Sequence, residues 1–317
     1  MVYVFFTLIG FFPLIYGANL LVDSASALAV RLKIPPLVIG LTIVAFGTSA
    51  PEMVVNLAAS LAGSSGIVIG NVVGSNIFNV LGILGIASII YPLAVEKSTT
   101  WIEIPLAVLS AAILIFLAND IFFDQASVSG VSFIDGVVLL GFFGIFLAYT
   151  VSLAKSGGIS EDLVVKGYSI PLSVVLLLIG LGLLVLGGRL IVDNATALAR
   201  SYGVSERVIA LTIISIGTSL PELATSVTAA LKKRVDIAIG NVVGSNIFNV
   251  FFILGLSALV APVPGSASVN IDLGVNMGAS LLLFLFIFTG RGRRIERWEG
   301  IVFLLGYGSY LGVLVFF

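Results

Sequence analysis

Apolar residues run along this chain in long blocks, each about the ~20 residues that a helix needs to cross the hydrocarbon core of a bilayer. The blocks fall at 3–24, 36–60, 67–91, 101–118, 132–154, 170–197, 207–230, 237–261, 270–289 and 299–316, with short polar segments between them. The pattern predicts an all-α integral membrane protein of ten transmembrane helices. Some polar positions interrupt the blocks, and they are repeated. The string GNVVGSNIFNV occurs at 70–80 and again at 240–250. The same offset of 170 residues (70 to 240) aligns GTSAPE at 47–52 with GTSLPE at 217–222, and GANLLVDSASALA at 17–29 with GGRLIVDNATALA at 187–199. Identity peaks on polar and glycine positions, which drift after a gene doubling would not select.

Each half of this duplication holds five spans. An odd number per copy makes the second copy enter the bilayer from the opposite side, the inverted-topology repeat of many secondary transporters, with a site at the midplane between halves. The predicted division is a first five-helix repeat at 1–154, a cytoplasmic linker at 155–167 and a second five-helix repeat at 168–317. The linker, KSGGISEDLVVK followed by Gly167, is short and glycine-containing.

Composition supports the membrane assignment, since 59% of the 317 residues are hydrophobic and only 10% are charged. That leaves too little polar surface for a soluble domain of this size. A net charge of −1 gives no basic face for nucleic acid. With neither Cys nor His in the chain, disulfides, thiolate or imidazole metal sites and Cys or His catalysis are excluded, so oxygen chemistry remains. Met1 runs directly into an apolar span without a basic n-region, so no cleavable signal is expected. Short basic loops stay cytoplasmic. With the N-terminus outside, the inner loops hold Arg31, Lys33, Lys97, Lys155, Lys166, Lys232, Lys233, Arg234, Arg291, Arg293, Arg294 and Arg297, whereas the outer loops hold Arg200 and Arg207. Both termini are therefore predicted outside. The run RGRRIER at 291–297 reads as an orientation anchor, with a lipid-headgroup site as the lesser reading.

The motifs carry the candidate chemistry. Pro51 lacks a backbone N–H, so the carbonyl of Gly47 loses its helical partner, and Pro221 does the same to Gly217. Opened backbone at membrane depth is tolerated where it lines a cavity, and freed carbonyls can then hold a cation. Thr48, Ser49, Thr218 and Ser219 add hydroxyls. Glu52 and Glu222 follow one turn on, spaced i, i+4 from Thr48 and Thr218, so a hydroxyl and a carboxylate are expected to point together. In the second motif Asn71, Ser75 and Asn79 form one stripe, repeated by Asn241, Ser245 and Asn249. Gly70, Gly74, Gly240 and Gly244 allow close helix approach.

Pooled at the centre, these groups make a hard-cation cage. Two ionised carboxylates match one Ca²⁺, which takes 6 to 8 oxygen ligands, whereas Mg²⁺ dehydrates reluctantly. An empty site is expected to take Na⁺ or protons, which suits exchange. Plainer readings stand beside this one. The glutamates are alternatively a structural pair sharing a proton, the asparagines interhelical hydrogen bonds, and the hydroxyls bonded back to their own helices. Asp23 and Asp193, also repeat-related, lie toward predicted span ends and read as interfacial or capping groups.

The paired motifs GTSAPE/GTSLPE and GNVVGSN resemble the alpha repeats of the calcium/cation antiporter superfamily, in its sodium/calcium exchanger-like branch, and the similarity spans most of the chain. That resemblance implies ten helices with four ion sites in a central diamond. Glu52 and Glu222 would be the shared ligands, ringed by Thr48, Ser49, Thr218, Ser219, Ser75, Ser245, Asn79 and Asn249, with the carbonyls of Ala45 and Ser215 as sodium ligands. The first and sixth helices would slide against the rest to switch access. Proton/calcium relatives typically carry GNxxE where this chain has GTSAPE and GTSLPE, which favours sodium coupling. Potassium-dependent exchangers place Asp at the position of Asn249, so potassium dependence is not expected. The expected activity is Na⁺/Ca²⁺ antiport in a cell membrane by a functional monomer, with Ca²⁺ and Na⁺ as transported ions and no cofactor. Ca²⁺/H⁺ antiport is the alternative, a cation channel is less favoured, and an enzyme least.

Overall fold

A computed structural model describes residues 2–123, 129–156, 165–204, 213, 215–265, 269–290 and 292–316. Most of the predicted linker (157–164), together with Arg207 and Arg291, lies outside the described residues. The described part of every predicted span is mainly helical. In chain order the helices are α1 (Val2–Leu32), α2 (Pro36–Thr48), α3 (Ala50–Leu61), α4 (Val68–Ile90), α5 (Thr99–Leu117), α6 (Phe133–Ser156), α7 (Ile170–Ser201), α8 (Ser215–Thr218), α9 (Leu220–Leu231), α10 (Val235–Val260), α11 (Asn270–Phe286) and α12 (Arg297–Phe316). A single turn at Asp120–Phe123 lies between α5 and α6.

Among the described residues six helices, α1, α4, α5, α6, α7 and α10, are each long and apolar enough to cross a bilayer, and α2 with α3 forms a seventh, bent by 46°. The chain is thus a multi-pass integral membrane protein. α4 and α10, which carry the repeated asparagine motif, form its centre. Their apolar windows are 78% and 83% buried, against 17% for α6 at the periphery. Both change pitch partway along, with π-helical turns at Phe78–Leu84 and Asn249–Leu254. Such turns shift side-chain phase and recur at functional sites.

The first helix departs from expectation. It was read as ending at 24, but α1 continues to Leu32, for 31 residues, and its counterpart α7 runs for 32. At 1.5 Å per residue each is about 46 to 48 Å long, well beyond a ~30 Å hydrocarbon core, so each must tilt or protrude. The extension explains Asp23, which sits mid-helix rather than at an end. Its carboxylate pairs with Lys232 at 2.6 Å and Lys166 at 2.8 Å. The hydrogen bond to Asp23 holds the Lys166 ammonium above the usual lysine range. Arg31 donates to the carbonyls of Tyr168 and Gly167 at 3.0 and 3.4 Å. Three residues assigned from sequence to inner loops thus gather along the later part of α1.

α1 and α7 cross through glycines. A Cβ on Gly17 would lie 2.7 Å from the carbonyl oxygen of Gly180, and one on Gly187 would lie 2.7 Å from that of Gly10. Small residues of this kind let backbones touch where lipid supplies no hydrophobic drive for helix pairing. Short strands tie the two halves reciprocally. β1 (Leu93–Ala94), just after α4, pairs antiparallel with β4 (Arg294–Ile295), just before α12. β3 (Val263–Pro264), just after α10, pairs with β2 (Gly130–Val131), just before α6.

The crossing makes a stability test. Gly17→Ala must push backbone apart, and a cost of about 1–3 kcal/mol is expected, read as a lowered thermal midpoint in detergent. Gly278→Ala, on α11 with open space around it, is expected to leave the midpoint unchanged or raise it.

Candidate cation site

The two prolines break their helices as their chemistry requires. Ser49, between α2 and α3, has φ −82° and ψ 5°, and Ser219, between α8 and α9, has φ −91° and ψ 10°. These near-zero ψ values interrupt the regular ladder and turn the chain at the site. α7 leans on both breaks. Leu181 side-chain carbons lie 2.6 Å from where a Cβ on Gly47 would be, and the Val192 side chain fills the corresponding space at Gly217.

Each break delivers a glutamate in the first turn of the following helix, where the positive end of the helix dipole faces the carboxylate. Glu52 and Glu222 are each 1% exposed. Among the described residues no basic side chain pairs with either. The two are held instead by the opposite half. Ser219 Oγ donates to Glu52 Oε1 at 2.9 Å, and Ser49 Oγ donates to Glu222 Oε1 at 2.8 Å. Ser49 Oγ also lies 2.9 Å from Ser245 Oγ, and Ser219 Oγ lies 3.2 Å from Ser75 Oγ. A hydroxyl has one proton to give, so Ser245 and Ser75 supply the proton in those contacts.

The asparagines repeat the exchange. Asn79 Nδ2 donates to Asn246 Oδ1 at 2.9 Å, and Asn249 Nδ2 donates to Asn76 Oδ1 at 3.0 Å. Asn76 Nδ2 donates to the carbonyl of Asn246 at 3.2 Å, and Asn246 Nδ2 to that of Asn76 at 3.4 Å. Four acceptor atoms are left over: Glu52 Oε2, Glu222 Oε2, Asn79 Oδ1 and Asn249 Oδ1 are all buried with no hydrogen-bond partner. Burying an uncompensated polar oxygen costs free energy, and burying an ionised one costs more. Two carboxylate and two amide oxygens, related by the repeat, are what a hard cation would compensate.

Most of the expected residues meet here, with adjustments. Thr48 does not turn toward Glu52. The break at Ser49 rotates it across the interface, where its hydroxyl donates to Asn241 Oδ1 at 3.0 Å. Asn241 donates to Ser226 Oγ at 2.9 Å, and Asn71 donates to Asn56 Oδ1 at 3.1 Å, so this pair braces helices behind the cage. The Ala45 carbonyl already accepts the Ser49 amide at 3.0 Å, and the Thr48 hydroxyl oxygen lies 3.4 Å from it. The Ser219 amide bonds Ile216 at 3.2 Å, leaving Ser215, at the first position of α8, outside that contact. Asn76 and Asn246 were not among the expected site residues. Their signal lay inside the duplicated string, one residue after Ser75 and Ser245.

A cavity of about 270 Å³ reaches the breaks of both halves, touching Pro51, Gly217, Thr218 and Pro221, with Arg189 and Asp193 of α7 on its wall.

Residues 2–152 and 172–316 match the family model described as Sodium/calcium exchanger protein. The putative antiporter CaxA of Alkalimonas amylolytica is 38% identical over 315 residues, covering 96% of this chain and 96% of that protein. The sodium/calcium exchanger MaX1 of Methanosarcina acetivorans is 33% identical over 348 residues, covering 98% and 97%. A solved structure of the sodium-calcium exchanger NCX_Mj, soaked with 2.5 mM Na⁺ and 0.1 mM Ca²⁺, matches with a TM-score of 0.83 at 35% identity over 98% of both chains.

The leftover oxygens make a binding test. Ca²⁺ at one hundred times its Kd is expected to stabilise the detergent-solubilised protein by about 2.7 kcal/mol, read as a raised thermal midpoint. Glu52→Gln combined with Glu222→Gln is expected to abolish the shift. An undiminished shift would remove the carboxylates from the ligand set.

Proposed function

Because the chain belongs to the sodium/calcium exchanger family, we propose that it is a secondary active antiporter that exchanges Na⁺ for Ca²⁺ across a cell membrane by alternating access. The observation that carries this reading is the quartet of buried oxygens without donors, two from carboxylates and two from amides, contributed equally by both copies of the duplicated motif. The ligands are Glu52 and Glu222, with Thr48, Ser49, Ser75, Asn79, Thr218, Ser219, Ser245 and Asn249 around them. The carbonyls of Ala45 and Ser215 join when Na⁺ is bound.

The architecture completes the reading. Ten spans form inverted five-helix repeats at 1–154 and 168–317, joined by a cytoplasmic linker at 155–167, with both termini outside. One chain holds both halves of the site, so the functional unit is a monomer. In that orientation the cavity beside Arg189 and Asp193 opens outward, along the later part of α7, and gives ions access to Thr218 and Glu52.

The charge of the site explains exchange rather than leak. Two ionised carboxylates are compensated by one Ca²⁺ or by Na⁺ ions. Left empty, they would cost roughly 2.5–3.5 kcal/mol per charge on the insertion scale. A site that changes sides only when loaded must carry something each way, which is antiport. Asn at both 79 and 249 supplies neutral oxygen without a third ionisable group, in keeping with sodium rather than potassium dependence.

The test is ⁴⁵Ca²⁺ uptake into proteoliposomes. Sodium-loaded vesicles diluted into sodium-free buffer are expected to accumulate Ca²⁺, and Glu52→Gln or Glu222→Gln to reduce uptake to that of empty vesicles. Uptake driven by a pH gradient without sodium would assign Ca²⁺/H⁺ exchange instead. Full uptake in both variants would overturn the site.

A further inference from the structure

The two ends of an asparagine amide have nearly the same shape and opposite polarity. Turned by half a rotation, Asn79 and Asn249 would aim N–H donors at the ion in place of oxygen. Nothing in their own helices decides between the two poses, so neighbours must. Asn246 and Asn76 stand in that place, 3% and 2% exposed. Each presents its Oδ1 to the Nδ2 of the facing asparagine, at 2.9 Å to Asn79 and 3.0 Å to Asn249. Each is itself anchored, its Nδ2 spent on the main-chain carbonyl of the other, at 3.2 and 3.4 Å.

A carbonyl oxygen can only accept. The polarity of the peptide backbone therefore fixes the pose of Asn76 and Asn246, and these fix Asn249 and Asn79. We propose that Asn76 and Asn246 are positioning residues for ion exchange, which turn the amide oxygens of Asn249 and Asn79 toward the transported cation and make the cage acceptor-only. This inference rests on the exchange reading above, whose ion it orients the ligands to receive. Groups that orient a metal ligand from behind typically change affinity about 10- to 100-fold when removed.

The test uses epistasis, because a carboxylate has oxygen at both ends and needs no orienting. In sodium-loaded proteoliposomes, Asn246→Ala is expected to raise the KM for Ca²⁺ at least about tenfold with kcat nearly kept. In an Asn79→Asp background the facing Asn246 oxygen repels the new carboxylate, so adding Asn246→Ala is expected to leave KM unchanged or lower it. Asn76→Ala is expected to behave likewise with Asn249→Asp. If Asn246→Ala does not fold, Asn246→Asp replaces it. As the neutral acid that variant still accepts from Asn79 and can donate to the Asn76 carbonyl, and a KM within about threefold of the wild type is expected, well short of the loss for a removed support. An unchanged KM in Asn246→Ala, the same penalty in both backgrounds, or unfolding of the aspartate variant as well would overturn the proposal by making these residues inert or merely structural. Calorimetric Ca²⁺ titration of detergent-solubilised wild type and variants separates this result from the parent reading. A wild type that binds Ca²⁺ but does not exchange it for Na⁺ sinks the transport assignment, while the asparagine effect on binding still decides the orientation.

Discussion

The structure depends on one constraint: two carboxylates are buried where no basic side chain meets them among the described residues, and each keeps an oxygen that no donor reaches. Such groups are costly in a membrane and persist where they serve function. Much of the surrounding architecture follows from delivering and holding them. The prolines open the helices so that Glu52 and Glu222 begin new ones. The glycines at 47 and 217 leave room for α7 to support both breaks. The π-helical turns in α4 and α10 carry Asn79 and Asn249.

Both glutamates, and both Asn79 and Asn249, are held by the opposite copy of the motif. Ser219 holds Glu52 and Ser49 holds Glu222, while Asn246 holds Asn79 and Asn76 holds Asn249. The candidate cage is therefore a property of the interface, since its hydrogen bonds run between the halves. Crossed support also couples the halves mechanically. A shift of one break moves the hydroxyl that holds the other half's carboxylate, so the two sides of the site respond together.

Much of this was legible in the sequence, for identifiable reasons. Block length and hydropathy located the helices, because a spanning helix in lipid must satisfy its backbone within itself. Duplication located the candidate site, because it isolated polar residues that recur at the same places. What spacing along one chain does not encode is which partner lies across the interface. Thr48 and Glu52 share a helical face on paper, yet the break between them sends the hydroxyl to Asn241. Asn71 belongs to the same stripe as Asn79, yet it faces Asn56 and serves packing. Asn76 falls off that stripe and was passed over, although it holds Asn249 from the other half. The extent of α1 was missed because hydropathy fades at Asp23, whose charge is met by Lys166 and Lys232, residues far away in sequence.

The strand clasps carry a consequence for how the molecule is made. Among the described residues the backbone of Leu93 and Ala94 finds its strand partners in Ile295 and Arg294, in the second copy of the repeat. While the ribosome is still at work, the first copy waits with that edge open, and a polypeptide cut short before Arg294 lacks the strand that pairs with it. This clasp is thus made late, once Arg294 and Ile295 have been translated.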